Sequence, residues 1–233
     1  MRLMIRRDRE VKLLDIAREL ILEYGMVSFK FTDIAKRAEV SRATLYKYFS
    51  GKEDVLVSLF VHDAENTKQM LVDIQADLTL NNREKILLSL LAPVASSMET
   101  LNRSGTLLLS ANPGIFMYAS DKQQARLEQI VSEIRQITLE FWLVPFNQGH
   151  MGVAQELLEE AMALTFPYQR GCIVIPQSVM NVGKHIHYPL RRVFENLLKS
   201  TESLNWCEKH ADVDYEKVLI GIGRHKKEGM IAC

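Results

Sequence analysis

Cysteine is scarce in this chain of 233 residues. Cys172, Cys207 and Cys233 are odd in number and widely spaced. They match neither a zinc-ligand spacing nor a disulfide framework, so a reducing compartment is expected. Net charge is lacking as well, with 29 Lys and Arg against 29 Asp and Glu. No uninterrupted apolar run approaches the ~18 residues needed to cross a membrane, and charge breaks up MRLMIRRDREV before a signal-peptide core can develop. The expectation is a cytoplasmic protein with no membrane partner. Catalytic signatures are missing too: there is no GxSxG, no Walker loop and no GxGxxG after a strand pattern. Gly221-Ile-Gly223 lacks the third glycine, His185 and His187 stand two apart, and His150 and His210 have no neighbours at ligand spacing. These absences argue against an enzyme and imply neither a metal nor a cofactor.

What is present is an ordinary globular composition, 47% hydrophobic and 25% charged, in a chain long enough for one large domain or two smaller ones. The neutral total hides an uneven distribution. Residues 1–50 hold 11 Lys or Arg against 7 Asp or Glu, and the remainder holds 18 against 22. A local basic excess is the electrostatic footprint of a nucleic-acid partner, and binding that rests on it is salt-dependent.

The basic excess coincides with Thr32 to Lys52, TDIAKRAEVSRATLYKYFSGK. Ile34, Ala35 and Ala38 recur at helical spacing, Val40 falls in a turn, and Ser41 is placed to cap a second short helix. Leu45 and Phe49 repeat at i, i+4 and form the inward stripe of that helix. At about 100° per residue, Lys47 points directly away from the stripe, Ala43 and Thr44 lie beside it, and Tyr46 and Tyr48 flank the face. Small side chains admit close approach to a major groove. Thr44 and Lys47 can reach base edges or phosphates, and tyrosine hydroxyls can bond phosphates on either side. The alternative for this face alone is a solvated helix surface.

The run IAKRAEVSRATLYKYFSGKEDVL resembles the amino-terminal DNA-binding domain of tetracycline-repressor-type (TetR family) transcriptional regulators. Ser41, Thr44, Leu45, Tyr46, Tyr48, Phe49 and Lys52 match position by position. Glu39 departs, standing where the family often has Gly in the turn, and so does Lys30, where a Thr often precedes the second helix. The resemblance implies an all-α protein: an amino-terminal three-helix helix-turn-helix domain, residues 1–51, joined by a linking helix to a larger helical ligand-binding and dimerisation domain, residues 52–233. It implies a homodimer on a palindromic double-stranded operator, acting as a repressor that a small-molecule effector releases. DNA contacts are expected from Thr32, Ser41, Arg42, Ala43, Thr44, Tyr46, Lys47 and Tyr48, with a phosphate contact at Lys52. Two alternatives remain, a DNA-binding regulator that answers to a protein partner and an enzyme or scaffold reusing the fold.

Along the chain, Arg2, Arg6, Arg7 and Arg9 form a basic arm, either lying against the DNA or merely solvated. An amphipathic helix is expected over Asp8–Tyr24, with Leu13, Ala17, Leu20 and Tyr24 on one stripe, stopped by Gly25. Phe29 and Phe31 read as core. A long helix from Lys52 to Asp77 links the domains. Asn81 or Asn82 caps a helix through Met98 that Pro93 kinks, and the apolar piece Thr106–Ser110 ends at the turn Asn112-Pro113-Gly114. Ser120 with Gln123 resembles a capping box opening a helix through Val144, stopped by Pro145 and Gly149. A further helix covers Val153–Tyr168. Gly171 to Pro176 reads as a buried loop or an interrupted helix, and the last helices cover Tyr188–Leu204 and Val213–Arg224. Residues 153–168 and 188–204 are the expected dimer interface, the alternative being closure of the monomer core. Met98, Phe116, Phe141, Trp142, Met162 and Phe166 are soft or aromatic side chains suited to lining a pocket for an apolar or amphipathic effector.

Overall fold

The computed structural model describes residues 2–100, 113–177 and 188–225. Thr106–Ser110, His185, His187 and Cys233 lie outside the described residues. Helix α1 (Arg2–Ser28), α2 (Phe31–Arg37) and α3 (Arg42–Tyr46) lead into α4 (Lys52–Ala76) and α5 (Asn82–Thr100). Then come α6 (Pro113–Met117), α7 (Asp121–Asn147), α8 (Gln155–Val174), α9 (Leu190–Ser200), α10 (Glu208–Ala211) and α11 (Tyr215–His225). Among the described residues no strand forms, and the β contact recorded is an isolated antiparallel bridge between Met151 and Trp206. The chain divides into two compact units, one of Met1–Glu65 with Thr100–Val131, the other of Asn66–Glu99 with Ser132–Ile231.

In the first unit, Leu13, Leu14, Ala17, Leu20 and Ile21 of α1 bury against Ile34 and Ala35 of α2, Leu45 and Phe49 around α3, and Val55, Leu56 and Leu59 of α4. Phe29 joins this cluster, and Phe31 packs on it. Tyr24, expected on the stripe, is half exposed instead. Gly25 ends the regular part of α1 with φ 78° and ψ 155°. The helix begins at Arg2, so Arg2 to Arg9 lie on helical turns and form no arm ahead of it; no Gly or Pro precedes Gly25 to break the run. Arg18, almost fully buried on α1, ties to α4 through Asp63 and His62.

In the second unit α5 is apolar nearly all round, with Ile86, Leu87, Leu88, Leu90, Leu91, Ala92 and Val94 buried, which marks a central helix. A Cβ on Gly221 of α11 would stand 2.7 Å from Leu88 Cδ2, so this glycine allows the two helices to approach. Met70, Leu71 and Ile74, on the second half of α4, are buried here.

Three helix ends differ from expectation. Helix α7 passes Pro145 and ends at Asn147, just before Gly149 at φ 73°; past the proline Gln148 N–H reaches Val144 O at 3.0 Å, and His150 N–H donating to Pro145 O at 2.9 Å closes the end around Gly149. Helix α8 runs through Pro167 and Gly171 to Val174 before a 3₁₀ turn at Ile175–Gln177, because burial of Cys172 and Ile173 outweighs the local breakers. The segment expected as one helix over 188–204 is α9 with a separate 3₁₀ turn after it, Glu202–Leu204. Pro113, read as part of a turn, opens the short α6, a position where its missing N–H costs nothing.

Candidate nucleic-acid interface and effector region

Local chemistry builds the helix-turn-helix. Helix α2 ends with Ala38 as its cap and Glu39 in the left-handed region at φ 52°. Val40 N–H then reaches Ala35 O at 3.0 Å and Glu39 N–H reaches Lys36 O at 3.2 Å. This pair of bonds is a Schellman motif, and it turns the chain with a glutamate where glycine is the usual residue. Ser41 then caps α3: its Oγ accepts from Thr44 N–H at 3.1 Å and lies 2.9 Å from Thr44 Oγ1.

The exposed face of α3 carries Arg42, Ala43, Tyr46 and Lys47, with Leu45 and Phe49 fully buried behind it. Arg42 and Lys47 make no ion pair with any described residue. Their neighbours on α2 are already paired, Lys36 with Asp33 at 2.9 Å and Arg37 with Glu23 at 2.6 Å. Tyr46 is held edge-on by the Phe31 ring, centroids 5.3 Å apart. Thr44, Tyr48 and Thr32 are half-buried. An open depression of about 420 Å³ on the first unit is lined by Leu20, Tyr24, Asp33, Lys36 and Arg37.

Lys52 is already engaged: its ammonium donates to Val27 O at 2.7 Å and lies 4.5 Å from the Phe29 ring centroid. Burial lowers its pKa, and two of its three N–H donors remain. Asp54, 3% exposed on the first turn of α4, accepts from Ser50 N–H at 2.8 Å, Ser120 N–H at 2.7 Å and the Ser120 hydroxyl at 2.9 Å. Burial alone would raise its pKa; the serine donors outweigh that and hold it low. The Ser120 hydroxyl is thereby diverted from the expected capping box, and Gln123 Nε2 is buried without a hydrogen-bond partner among the described residues. Sequence reading missed this cluster because 66 positions separate its members, and an acidic residue in a first helical turn has an ordinary dipole explanation.

The expected effector residues are divided between the units. Phe116 belongs to the first, where it packs on the helix-turn-helix core and edge-on to Phe60 at 5.8 Å. Met98, Phe141, Trp142, Met162 and Phe166 belong to the second. Trp142 is fully buried, 6.2 Å from the Phe166 ring, and its indole N–H has no acceptor among the described residues. Among the described residues no group of three or more His, Cys, Asp or Glu could hold a metal ion, and no helix is long and apolar enough to cross a membrane.

A short helix α3, capped by Ser41 and packed with α2 on α1, is a helix-turn-helix arrangement. Residues 13–59 match the family of bacterial regulatory proteins of the tetR type. That match covers the helix-turn-helix segment and the start of α4. It is 42% identical over 55 residues to the fatty acid metabolism regulator protein of Bacillus subtilis, and 31% identical over 101 residues to the transcriptional regulator EthR of Mycobacterium tuberculosis. These matches span 24% and 42% of this chain, and 28% and 47% of the two curated relatives. Among solved structures, FadR from Bacillus subtilis in complex with stearoyl-CoA aligns over 81% of this chain and 95% of its own, with TM-score 0.56 and 22% identity. A TetR/AcrR-family regulator from Thermobifida fusca aligns over 85% of this chain and 97% of its own, with TM-score 0.61 and 19% identity. At such identities the likeness establishes the fold.

Proposed function

We propose that the protein is a cytoplasmic, dimeric, sequence-specific DNA-binding repressor that leaves a palindromic operator when a small amphipathic effector binds. The observation that carries this reading is the α3 surface, where Arg42, Ala43, Tyr46 and Lys47 are exposed around an inward Leu45 and Phe49. Residues 1–51 form the DNA-binding domain and 52–233 the effector and dimerisation domain. Thr44 and Lys47 meet base edges or phosphates, Ser41, Arg42, Ala43, Tyr46, Tyr48 and Thr32 line the contact, and Lys52 offers its free donors to a phosphate. In a dimer the two recognition helices stand ~34–36 Å apart, one turn of the duplex.

The reading is supported on the dimer side by Leu157 and Leu164, exposed at 44% and 61% on α8. They share one helical stripe with Tyr168, Gly171 and Ile175. On the effector side, Trp142, Phe141, Met98, Met162 and Phe166 supply soft apolar surface. The unpartnered indole N–H of Trp142 suits an effector that pairs an apolar chain with a hydrogen-bond acceptor. FadR's complex with stearoyl-CoA makes a long-chain acyl thioester the first compound to try.

Footprinting with the wild-type chain is expected to give a symmetric protected region. The double variant Thr44→Ala, Lys47→Ala should lose that protection at a salt concentration where wild type keeps it; retained protection removes the recognition-helix assignment. A true effector at 100 times its dissociation constant adds ~2.7 kcal/mol of stability. A thermal-shift titration with stearoyl-CoA reads this out, and failure of acyl, cationic and apolar compounds alike would favour a protein partner as the signal.

A further inference from the structure

Asp54 joins three parts of the first unit through one carboxylate. Ser50, directly after the buried Phe49, donates its backbone N–H; Ser120, the residue before α7, donates both its N–H and its hydroxyl. The exit of the helix-turn-helix and the entrance of α7 are therefore held by the same acceptor. Nearby bonds strengthen the junction: Arg126 on α7 pairs with Glu10 on α1 at 2.9 Å, and Phe116 packs on Phe60. Helix α7 is continuous from Asp121 to Asn147 and carries Phe141 and Trp142 near its far end.

An acidic residue at the third position of a helix often serves that helix alone, by returning a bond to the N–H at its start. The Ser50 bond fits that description. The two Ser120 bonds do not, because they satisfy a donor pair at the entrance of a different helix with a buried carboxylate that has no solvent to replace them.

We propose that Asp54 is the positioning residue through which α7 sets the placement of the recognition helix, so that whatever acts on α7 is read at the operator through this carboxylate. The proposal rests on the DNA-binding reading above. Misplacing a recognition helix weakens the contacts to bases, while the sequence-independent attraction between Lys or Arg side chains and phosphates persists. The discrimination between operator and unrelated DNA is thus the sensitive quantity.

The test uses full-length protein and an operator enriched by the wild type from a random DNA pool. Affinity for that operator and for an unrelated duplex is measured at one salt concentration for Asp54→Asn, Ser120→Ala, Ser120→Thr and the double variant Asp54→Asn, Ser120→Ala. Asp54→Asn and Ser120→Ala should each cut operator affinity about tenfold, the scale of a lost hydrogen bond to a charged group, with unrelated-DNA affinity unchanged. The double variant should fall no further than Asp54→Asn, and Ser120→Thr, which keeps the hydroxyl, should behave as wild type. Operator affinity within about twofold of wild type in all four variants overturns the proposal, since that is below the cost of one mismatched base pair. Parallel loss on operator and unrelated DNA with a lowered melting temperature overturns it in favour of a capping role, and additive losses in the double variant overturn it in favour of two separate roles. Should Asp54→Asn fail to fold, Ser120→Ala against Ser120→Thr still decides. If the wild type enriches no sequence, the DNA-binding reading itself falls and takes the proposal with it.

Discussion

At the scale of single residues, the two most informative positions are those where a side chain is asked for something unusual. Glu39 holds φ 52°, a conformation that costs a residue with a Cβ ~1–2 kcal/mol. The Schellman bonds of Val40 and Glu39 over-determine the turn, so the fold tolerates the cost. Glu39→Gly is expected to leave stability unchanged or raise it by up to ~1 kcal/mol, and Glu39→Val to lower it by ~1–2 kcal/mol, because β-branching worsens the same clash. Urea denaturation midpoints at constant slope check both. Arg83 is the second position. The residue is 8% exposed, and its guanidinium donates to Thr201 Oγ1 at 2.9 Å, Ala211 O at 2.7 Å and Leu198 O at 3.3 Å. These carbonyls close α9 and α10, where a cation is favourable. Burial lowers the Arg83 pKa, but a guanidinium stays charged throughout the useful pH range. Arg83→Met keeps the volume and removes every donor; a loss of ~3 kcal/mol in unfolding free energy is expected.

At the scale of elements, the contrast between two helix starts shows what local pattern can and cannot determine. Ser120 and Gln123 have the spacing of a capping box and do not form one, because Asp54 captures the serine. Asn81 and Glu84 do form one: Glu84 N–H reaches Asn81 Oδ1 at 2.9 Å, and Asn81 N–H reaches Glu84 Oε2 at 2.8 Å. Glu84, buried, also accepts from Lys217 of α11 at 2.6 Å. Asn81→Ala should therefore cost ~1 kcal/mol. Gln123→Met should be close to neutral, since relief of a buried amide nitrogen that has no partner among the described residues offsets loss of the 3.3 Å bond that Arg126 donates to Gln123 Oε1. Calorimetric midpoints of the two variants should move apart, and a Gln123→Met variant as damaged as Asn81→Ala would show that the glutamine has an unseen role. The helix-turn-helix was legible for the complementary reason: its turn, cap, inward stripe and outward face are specified within some twenty consecutive residues. Helix α7 ran past Pro145 and α8 past Gly171 because burial decided those ends, and burial is a property of distant contacts. The residues proposed to line an effector site could be selected only as a class of side chain, so Phe116 was grouped with Trp142 although it packs on the other unit's core.

At the scale of the whole molecule, stability is expected to carry a pH signature that composition, with its balanced charge, does not suggest. His210 is buried, and its ring stacks on His150 with centroids 4.4 Å apart. Its Nδ1 accepts from Asn82 N–H at 3.3 Å, and His150 Nδ1 lies 2.7 Å from Asn82 Nδ2. A ring nitrogen that accepts a bond cannot also hold a proton. Burial, then the charges of His150 and Lys209, lowers the His210 pKa. The native state thus binds fewer protons than the unfolded chain, and stability falls as pH drops below ~6.5, the unfolded value, until the native pKa is passed. Asp77 acts in the same direction in a more acidic window. Burial would raise its pKa, yet Thr79, His225 and Arg224 together hold it far below the usual carboxylate range. Its contribution is present above ~3.9 and is lost as pH falls beneath that value. Two limbs should therefore appear in a plot of urea midpoint against pH, one starting near neutrality and one below pH ~4. His210→Leu should flatten the first limb and leave the second, and Asp77→Asn should do the reverse while lowering stability at neutral pH. A His210→Leu profile parallel to wild type between pH 7 and 5 would show that the buried histidine titrates no differently folded than unfolded, against the Asn82 hydrogen bond that holds it neutral.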